Sequence, residues 1–301
     1  MTAAHRPMRI LLTGGEGQLG TELIAQAPRF GIHLVAPTLA QMDLTRPADV
    51  DAAWDAARPA AVINAAAYTA VDRAETEAEL AFAINAAAPA RIAARCSAEN
   101  IPLVHISTDF VFDGCKREPY REEDPVAPLS VYGRSKAQGE TAVRAALDRH
   151  VIVRTAWLDS AHGANFVKTV MRLIAEKDAL RIVDDQVGSP TCAEDLAATV
   201  LAIAARGAGT PWGTYHYCGA GTTSWYGLAR HVLDTMAARG RIRGYRLTPI
   251  TTADYPTPAR RPPYSVLDCR RIEDCFGVVR PPWQDGVEKT VDRLLSAQAS
   301  Q

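Results

Sequence analysis

A tyrosine and a lysine four residues apart, Tyr132 and Lys136, offer the clearest acid–base chemistry in this sequence. Side chains at this spacing share one face of a helix. Because an ammonium near a phenol favours the phenolate, the pair predicts a lowered tyrosine pKa and proton exchange near neutrality. If Thr108 ends a neighbouring strand, its hydroxyl would lie beside that phenol. Alone, the spacing favours an ordinary exposed helix.

A glycine-rich turn follows the first apolar run of the chain, Arg9 to Thr13. Gly14, Gly17 and Gly20 form the pattern G-x-x-G-x-x-G before a helix-like stretch. Small residues let the backbone approach a pyrophosphate, and a helix N-terminus supplies N–H donors. The spacing differs from G-x-G-x-x-G, and a tight strand-to-helix connection would look similar. The strand before the turn and the helix after it favour nucleotide binding.

The elements that must position these residues alternate along the first half of the chain. Strands are predicted at 9–13, 32–36, 61–64, 103–107 and 151–154, and helices at 19–27, 47–57, 75–100 (broken near Pro89) and 133–147. This alternation predicts an α/β fold, a doubly wound parallel sheet of Rossmann-like type, with ligands at the carboxyl ends of the strands. The glycine turn, Asn64, Thr108 and Tyr132 all fall at that edge.

The second half predicts a smaller C-terminal α/β substrate domain. Helices are expected at 193–205 and 224–239, with a strand at 214–218 between them. We predict a dinucleotide-binding domain from residues 8–160 with about 190–220, and a substrate domain from about 161–189 and 221–301. Residues 1–7 are predicted to be a disordered lead-in, and Met8 is an alternative start to Met1.

Composition predicts a soluble, cytoplasmic protein that binds neither nucleic acid nor membrane. The 301 residues are 48% hydrophobic and 22% charged, with a formal net charge of −1. There is no global basic field, no apolar stretch of membrane-spanning length and no signal-peptide pattern. The six cysteines form no C-x-x-C pair, so we expect them to be reduced. The histidines form no metal-ligand pattern, and no catalytic metal is expected.

Taken together, the motifs resemble one enzyme family. The glycine turn, an Asn-Ala-Ala stretch, Thr108 and the Tyr132–Lys136 pair resemble the extended short-chain dehydrogenase/reductases. Within that family, the order of further blocks is similar to the dTDP-4-dehydrorhamnose reductases, from residue 9 to about 290. These blocks are 17–20, 64–72, 74–75, 107–114, 128–136, 154–157, 165–166, 185–191 and 255–262.

The resemblance implies a reaction and a set of site residues. A nicotinamide cofactor would pass hydride to the C4 ketone of dTDP-4-dehydro-6-deoxy-L-mannose, a dTDP-4-keto-6-deoxy sugar, to form dTDP-L-rhamnose. Tyr132 would be the general acid, Lys136 would bind the nicotinamide ribose, and Thr108 would hydrogen-bond the reacting oxygen. The implied cofactor-binding residues are Gly14, Gly17, Gln18, Leu19, Gly20, Asp43, Leu44, Ala65, Ala66, Ala67, Ser107, Tyr132 and Lys136. The implied substrate-binding residues are Thr69, Val71, Thr108, Asp109, Trp157, Gln186 and Arg261.

The choice of cofactor depends on the loop after the second predicted strand. Residues 36–39 include neither an acid for a ribose 2′-hydroxyl nor an arginine for a 2′-phosphate. Without a repelling carboxylate we predict NADPH, with NADH accepted. Asp43 either lies beside the adenine, as the resemblance implies, or caps a helix. The resemblance also implies a homodimer. Glu22 and Glu194 match positions where some relatives hold Mg²⁺ between subunits, although surface helix charges are the simpler interpretation.

Several substrate-site assignments have structural alternatives. Trp157 would cover a sugar or base, or it is a core tryptophan. Gln186 and Thr191 lie in a turn-rich stretch that faces substrate or is an ordinary loop. Arg260 and Arg261 would clamp a diphosphate bidentately, or they are a solvated basic pair.

Other functions share these motifs. A nucleotide-sugar epimerase or dehydratase would keep the Tyr132–Lys136 pair. A dehydratase normally needs a further acid after Asp109, where Phe110 stands, and epimerases are generally longer. A non-catalytic protein similar to the regulatory subunit of methionine adenosyltransferase is the alternative from another class. The intact Thr108, Tyr132 and Lys136 favour an enzyme.

Overall fold

The structure is a computed structural model that describes residues 7–177, 179–207 and 209–299. Its strands are β1 (Met8–Thr13), β2 (Ile32–Val35), β3 (Ala61–Asn64), β4 (Leu103–Thr108), β5 (His150–Thr155), β6 (Leu158–Asp159), β7 (Ala179–Val183), β8 (Val187–Gly188), β9 (Thr191–Cys192), β10 (Gly213–His216), β11 (Thr223–Ser224) and β12 (Arg246–Ile250). Its α-helices are α1 (Gln18–Gln26), α2 (Pro47–Ala57), α3 (Ala78–Phe82), α4 (Ala88–Ala98), α5 (Val131–Ala146), α6 (Phe166–Glu176), α7 (Ala193–Ala205), α8 (Trp225–Ala238), α9 (Arg270–Phe276) and α10 (Trp283–Ala299). Residues 1–7 were predicted to be a disordered lead-in, with Met8 as an alternative start to Met1. Residues 1–6 lie outside the described residues.

Six parallel strands form the central sheet in the order β10-β5-β4-β3-β1-β2. Leu11 of β1 pairs with Val35 of β2 on one side and with Val62 of β3 on the other. The chain therefore builds outward in both directions from β1, which creates a crevice at the carboxyl ends of β1 and β3. The predicted α/β fold with a doubly wound parallel sheet is confirmed.

Helices cover both faces of this sheet, which explains why its strands are almost continuously apolar. On one face, α1 and α7 pack over residues such as Leu12 and Val153. On the other face, α2, α4 and α5 pack over residues such as Leu11 and Ile152. Because β10 and α7 come from the second half of the chain, the sheet is completed by residues distant in sequence.

A second apolar core lies among α6, α8 and α10. Val170, Val232 and Val287 are fully buried there, one from each helix. The parallel pair of β7 and β12 borders this core. No helix among the described residues has the length and apolar character needed to cross a membrane.

The long helix predicted at 75–100 is divided in the structure. A short 3₁₀ turn at Arg73–Glu75 precedes α3, and a π-helical turn at Ala83–Ala87 joins α3 to α4. Pro89 has no N–H to donate to the carbonyl of Asn85, so the regular helical ladder is interrupted there. The prediction was correct about a break near Pro89 and wrong about the helix start. The bounds of the other predicted helices and strands agree with the structure within two residues.

Candidate active site

Two hydrogen bonds fix the start of helix α5 and so place Tyr132 in its first turn. The Ser130 hydroxyl accepts from Gly133 N at 3.1 Å. The Glu75 carboxylate accepts from Val131 N at 2.8 Å. Both bonds satisfy N–H groups that have no partner inside the helix. Sequence analysis missed Ser130 and Glu75, although a serine just before a predicted helix is a typical cap.

Strand β4 brings a hydroxyl and a carboxyl to the Tyr132 phenol. The Thr108 hydroxyl donates to Asp109 Oδ1 at 3.0 Å and also forms a hydrogen bond with the phenol. Burial raises the pKa of Asp109 to about 6, against hydrogen bonds from Ser265 and Thr108 that lower it. Thr108 ends β4 as expected, and the two groups expected to meet are in contact.

The Tyr132 phenol has a raised pKa, which contradicts the prediction. Burial raises the pKa to about 12, the Asp109 charge adds to the rise, and only the Thr108 hydrogen bond opposes it. The Lys136 ammonium donates to the Ile106 carbonyl at 2.6 Å. The four-residue spacing correctly placed both side chains on α5, but it could not indicate where the ammonium points. At neutral pH Tyr132 is therefore a protonated group that can donate.

Lys136 is almost completely buried, and one carboxylate partly offsets the effect of this burial on its pKa. Burial lowers the pKa of Lys136 to about 8, while the Glu140 charge raises it. Glu140 lies one turn further along α5, so Tyr132, Lys136 and Glu140 are spaced by four residues each. This spacing is a sequence signal that could have identified Glu140.

Glu140 is held in a buried ion pair. Its two oxygens accept from Arg154 Nε at 2.8 Å and Arg154 Nη2 at 2.7 Å. Burial alone would raise the Glu140 pKa, but Arg154, Ser107 and Arg144 lower it to about 2. The Ser107 hydroxyl donates to Glu140 Oε1 at 2.6 Å. Ser107 was predicted to contact the cofactor, whereas its hydroxyl here anchors the end of β4 to α5.

The glycine turn after β1 has the close packing that a pyrophosphate site requires. Gly14 has φ +75°, and a Cβ there would lie 2.6 Å from Ala66 N. A Cβ on Gly20 would lie 2.1 Å from the Gly14 carbonyl oxygen. The turn therefore lies directly against the segment 65–67, and α1 begins at Gln18 with its N-terminal N–H groups at the sheet edge. These residues fit a dinucleotide.

Two further predicted cofactor residues join the turn to its surroundings. Leu19 is buried in the core beneath the turn. Gln18 Oε1 accepts from Asn165 Nδ2 at 2.8 Å and from the Ser160 hydroxyl at 3.3 Å. The Gln18 side chain thus connects the glycine turn to the loop that leads into α6.

Asp43 stabilises a turn rather than a helix end. Its Oδ1 accepts from Thr45 N at 2.9 Å and from the Thr45 hydroxyl at 2.7 Å, and these bonds lower its pKa. The N-cap position of α2 is occupied by Arg46, whose side chain makes no capping hydrogen bond, so the helix-cap interpretation of Asp43 was wrong. Leu44 is buried, and its carbonyl accepts from Arg91. The position of both residues beside an adenine stays a prediction.

Arg261 is engaged by a carboxylate from the loop after β3. Its Nη1 and Nη2 donate to Asp72 Oδ1 and Oδ2 at 3.1 and 2.8 Å. The same loop carries Thr69, which is exposed, and Val71, which packs against the apolar cluster that contains Tyr132. Arg261 is thus paired with Asp72 rather than being a solvated basic side chain, and it would have to leave this partner to bind a diphosphate. Sequence analysis did not identify Asp72 as its partner.

The aromatic and polar residues after β5 are largely committed to packing. Trp157 stacks on Trp225 with ring centroids 3.6 Å apart, so one ring face serves the core. Its φ of +47° is a strained conformation for a bulky residue. Gln186 is buried and bonded to Trp225 and Thr252. Thr191 is fully buried, so it does not face a cleft.

The residues considered for Mg²⁺ are bridged by an arginine. Arg293 Nη1 donates to Glu22 Oε1 at 2.8 Å and to Glu194 Oε2 at 3.2 Å. Glu22 is only 2% exposed, so the surface-charge interpretation was wrong for it. His162 also lies 3.3 Å from Glu22 Oε1. Within the described ranges, no three His, Cys, Asp or Glu side chains are arranged to hold a metal. The group does not fit a Mg²⁺ site within one chain.

Comparison with known proteins gives one consistent result across the chain. The family model for the RmlD substrate binding domain matches residues 8–296. A dTDP-4-dehydrorhamnose reductase of Sinorhizobium fredii is 40% identical over 294 residues, which cover 96% of this chain and 98% of that protein.

Two solved structures resemble the whole fold. The dTDP-4-dehydrorhamnose reductase of Clostridium acetobutylicum has a TM-score of 0.90 and 38% identity, covering 96% of this chain and 100% of that chain. The dTDP-4-dehydrorhamnose reductase of Bacillus anthracis, solved in complex with NADP, has a TM-score of 0.88 and 33% identity, covering 95% of this chain and 99% of that chain. The similarity includes both the sheet and the C-terminal region.

Proposed function

The chain belongs to the RmlD family of dTDP-4-dehydrorhamnose reductases, and on this premise we propose how its residues carry out the reaction. It is an NAD(P)H-dependent oxidoreductase that reduces the C4 ketone of dTDP-4-dehydro-6-deoxy-L-mannose to dTDP-L-rhamnose. The observation that carries the residue assignment is the contact between the Thr108 hydroxyl and the Tyr132 phenol at the carboxyl edge of the sheet.

The bound nicotinamide cofactor supplies the hydride. As the ketone oxygen gains negative charge, it needs a proton and hydrogen-bond donors at that position. Tyr132 donates the proton, because burial keeps its phenol protonated at neutral pH. The Thr108 hydroxyl orients the same oxygen. Lys136 holds a positive charge near the cofactor ribose and beside the reacting groups.

The glycine turn would hold the cofactor pyrophosphate, and the segment 65–67 would contact the dinucleotide. Asp43 and Leu44 would bind on the adenine side. Val71 and Asp109 would border the sugar ring, because Val71 packs against the cluster that contains Tyr132 and Asp109 accepts from the Thr108 hydroxyl. We place Thr69, Trp157, Gln186 and Arg261 around the nucleotide portion of the substrate. The expected homodimer and cytoplasmic location stay predictions.

The absorbance of the reduced nicotinamide cofactor tests this function directly. Purified protein is mixed with dTDP-4-keto-6-deoxyglucose and a matching 3,5-epimerase, with NADPH and NADH in parallel. We expect oxidation that requires both sugar and epimerase and that yields dTDP-rhamnose. Cofactor binding without oxidation would favour another keto-sugar or the regulatory-subunit alternative. Oxidation without the epimerase would favour a different nucleotide-sugar reductase.

A further inference from the structure

The glycine turn carries a carboxylate that reaches the loop after β2. Glu16 lies between Gly15 and Gly17, and its Oε2 accepts from Leu39 N at 2.8 Å. The loop itself contains no acid, which is why its sequence favoured NADPH. The contact spans 23 positions of the chain, so the acid is supplied by the turn rather than by the loop.

The loop that receives this carboxylate is a compact turn. Thr38 N and the Thr38 hydroxyl both donate to Gln41 Oε1, at 2.9 and 3.2 Å. Gln41 N and Met42 N return to the Thr38 carbonyl at 3.0 Å. The Glu16 bond to Leu39 holds the other side of this turn. The carboxylate therefore has a defined place on an ordered loop.

The glycine turn also lies close to the start of this loop, at Gly15. A Cβ built on Gly15 would lie 3.0 Å from the Ala36 side chain. In doubly wound nucleotide-binding folds, the residue that recognises the adenine ribose lies just after the second strand. An acid there hydrogen-bonds a ribose 2′-hydroxyl, whereas an arginine accommodates a 2′-phosphate. Glu16 brings an acid to that region by another route.

The basic side chain that follows this loop, Arg46, is paired with another acid. Arg46 lies 3.6 Å from Asp43 and is mostly exposed. Glu16 is exposed, and its carboxylate accepts from the Leu39 N–H without forming an ion pair among the described residues. A phosphate ester with a second pKa near 6 carries between one and two negative charges at neutral pH. Like charges at this spot would repel.

We propose that Glu16 makes this reductase select NADH over NADPH by placing its carboxylate where a 2′-phosphate would lie. The inference rests on the proposed function only in requiring that a nicotinamide dinucleotide binds the glycine turn. It reverses the preference that the loop sequence alone had predicted. Selection arises from repulsion of the wrong cofactor rather than from an additional contact to the right one.

Binding measurements in the absence of sugar test the proposal. Titrations of wild-type protein, followed by nicotinamide fluorescence, should give a dissociation constant for NADPH at least about tenfold above that for NADH. Glu16→Gln keeps an acceptor for Leu39 N and removes the charge. The ratio of the NADPH dissociation constant to the NADH dissociation constant should therefore fall severalfold. Glu16→Lys should invert the ratio. Because the carboxylate is exposed, raising the salt concentration should narrow the wild-type ratio.

A matched control is Glu176→Gln, which removes an exposed glutamate charge on α6, where Glu176 pairs with Arg172. This change should leave the cofactor ratio as in wild type. Equal wild-type affinities for the two cofactors, or an unchanged ratio in both Glu16 variants, would overturn the proposal while leaving the reductase function intact. If neither dinucleotide binds, the cofactor site in the proposed function fails together with this inference.

Discussion

Two arginine–carboxylate pairs in this protein have nearly the same geometry and opposite surroundings. Arg154 and Glu140 meet at 2.7–2.8 Å with side chains 3% and 0% exposed. Arg261 and Asp72 meet at 2.8–3.1 Å with side chains 23% and 38% exposed. Both pairs are bidentate. The difference between them is therefore burial, and burial decides what each pair can do.

The buried pair fixes the part of the molecule that carries the proposed catalytic residues. An unpaired charge in that position would be strongly destabilising, so Glu140 and Arg154 cannot exchange partners. Through Ser107 and Lys136, the pair holds the end of β4 and helix α5 in one arrangement. The more exposed pair, Arg261 with Asp72, lies among the proposed substrate-binding residues. Water lowers the cost of separating it, so Arg261 can leave Asp72 for a diphosphate, which offers the same bidentate geometry.

The largest expected effect is a loss of turnover on substitution of Tyr132, the proposed general acid. Tyr132→Phe removes the only hydroxyl of that side chain, and turnover should fall about a hundred- to ten-thousand-fold because the general acid is lost. Cofactor affinity should stay close to wild type. Steady-state rates and fluorescence titration measure the two quantities separately. Retention of full turnover would refute the role assigned to Tyr132.

Breaking the buried pair should cost far more stability than breaking the exposed one. Glu140→Gln leaves Arg154 as an unpaired buried charge, and we expect a loss of about 3–5 kcal/mol in the free energy of unfolding. Asp72→Asn should cost less than about 1 kcal/mol. Urea denaturation of both variants makes the comparison.

A double variant separates the charge from the packing. Adding Arg154→Met to Glu140→Gln removes the unpaired guanidinium, so much of the lost stability should return. If Glu140→Gln and Asp72→Asn were equally mild, burial would not be the property that distinguishes the two pairs.

The Arg261–Asp72 pair should affect substrate binding rather than the stability of the fold. Arg261→Met should raise KM for the sugar nucleotide about tenfold with a smaller effect on kcat, because the lost contact is made before and during the reaction. Arg239→Met is the matched control, since Arg239 also forms a bidentate pair, with Asp292 at 2.9 and 3.0 Å, on the outside of the C-terminal region. An unchanged KM in Arg261→Met would remove this residue from the substrate site.

The smallest expected effect is a shift in pH dependence. Lys136 has a pKa of about 8, and its ammonium is the form that supports cofactor binding. Activity should therefore be retained below this pKa and decline as pH rises through it. Glu140→Gln removes the charge that raises the Lys136 pKa, so the decline should begin at lower pH. A pH profile of kcat, together with cofactor titrations at each pH, measures the shift, and a profile that does not move would exclude coupling between Glu140 and Lys136.

Local patterns in the sequence were sufficient to predict the fold and the class of reaction. Alternating apolar strands and amphipathic helices are local patterns, and they predict a doubly wound sheet because few other arrangements bury them. The turn at Gly14 and Gly20 and the four-residue spacing of Tyr132 and Lys136 are equally local. The order of these motifs along the chain was sufficient to indicate the family.

The pKa values and side-chain directions in the site could not be predicted from local patterns. The pKa of Tyr132 depends on its burial, which no spacing encodes, and the direction of the Lys136 ammonium depends on where β4 ends. Glu16 meets Leu39, and Arg293 bridges Glu22 and Glu194, across long stretches of chain. Such contacts exist only after the chain has folded, because charges distant in sequence interact according to their separation in space and their exposure to water.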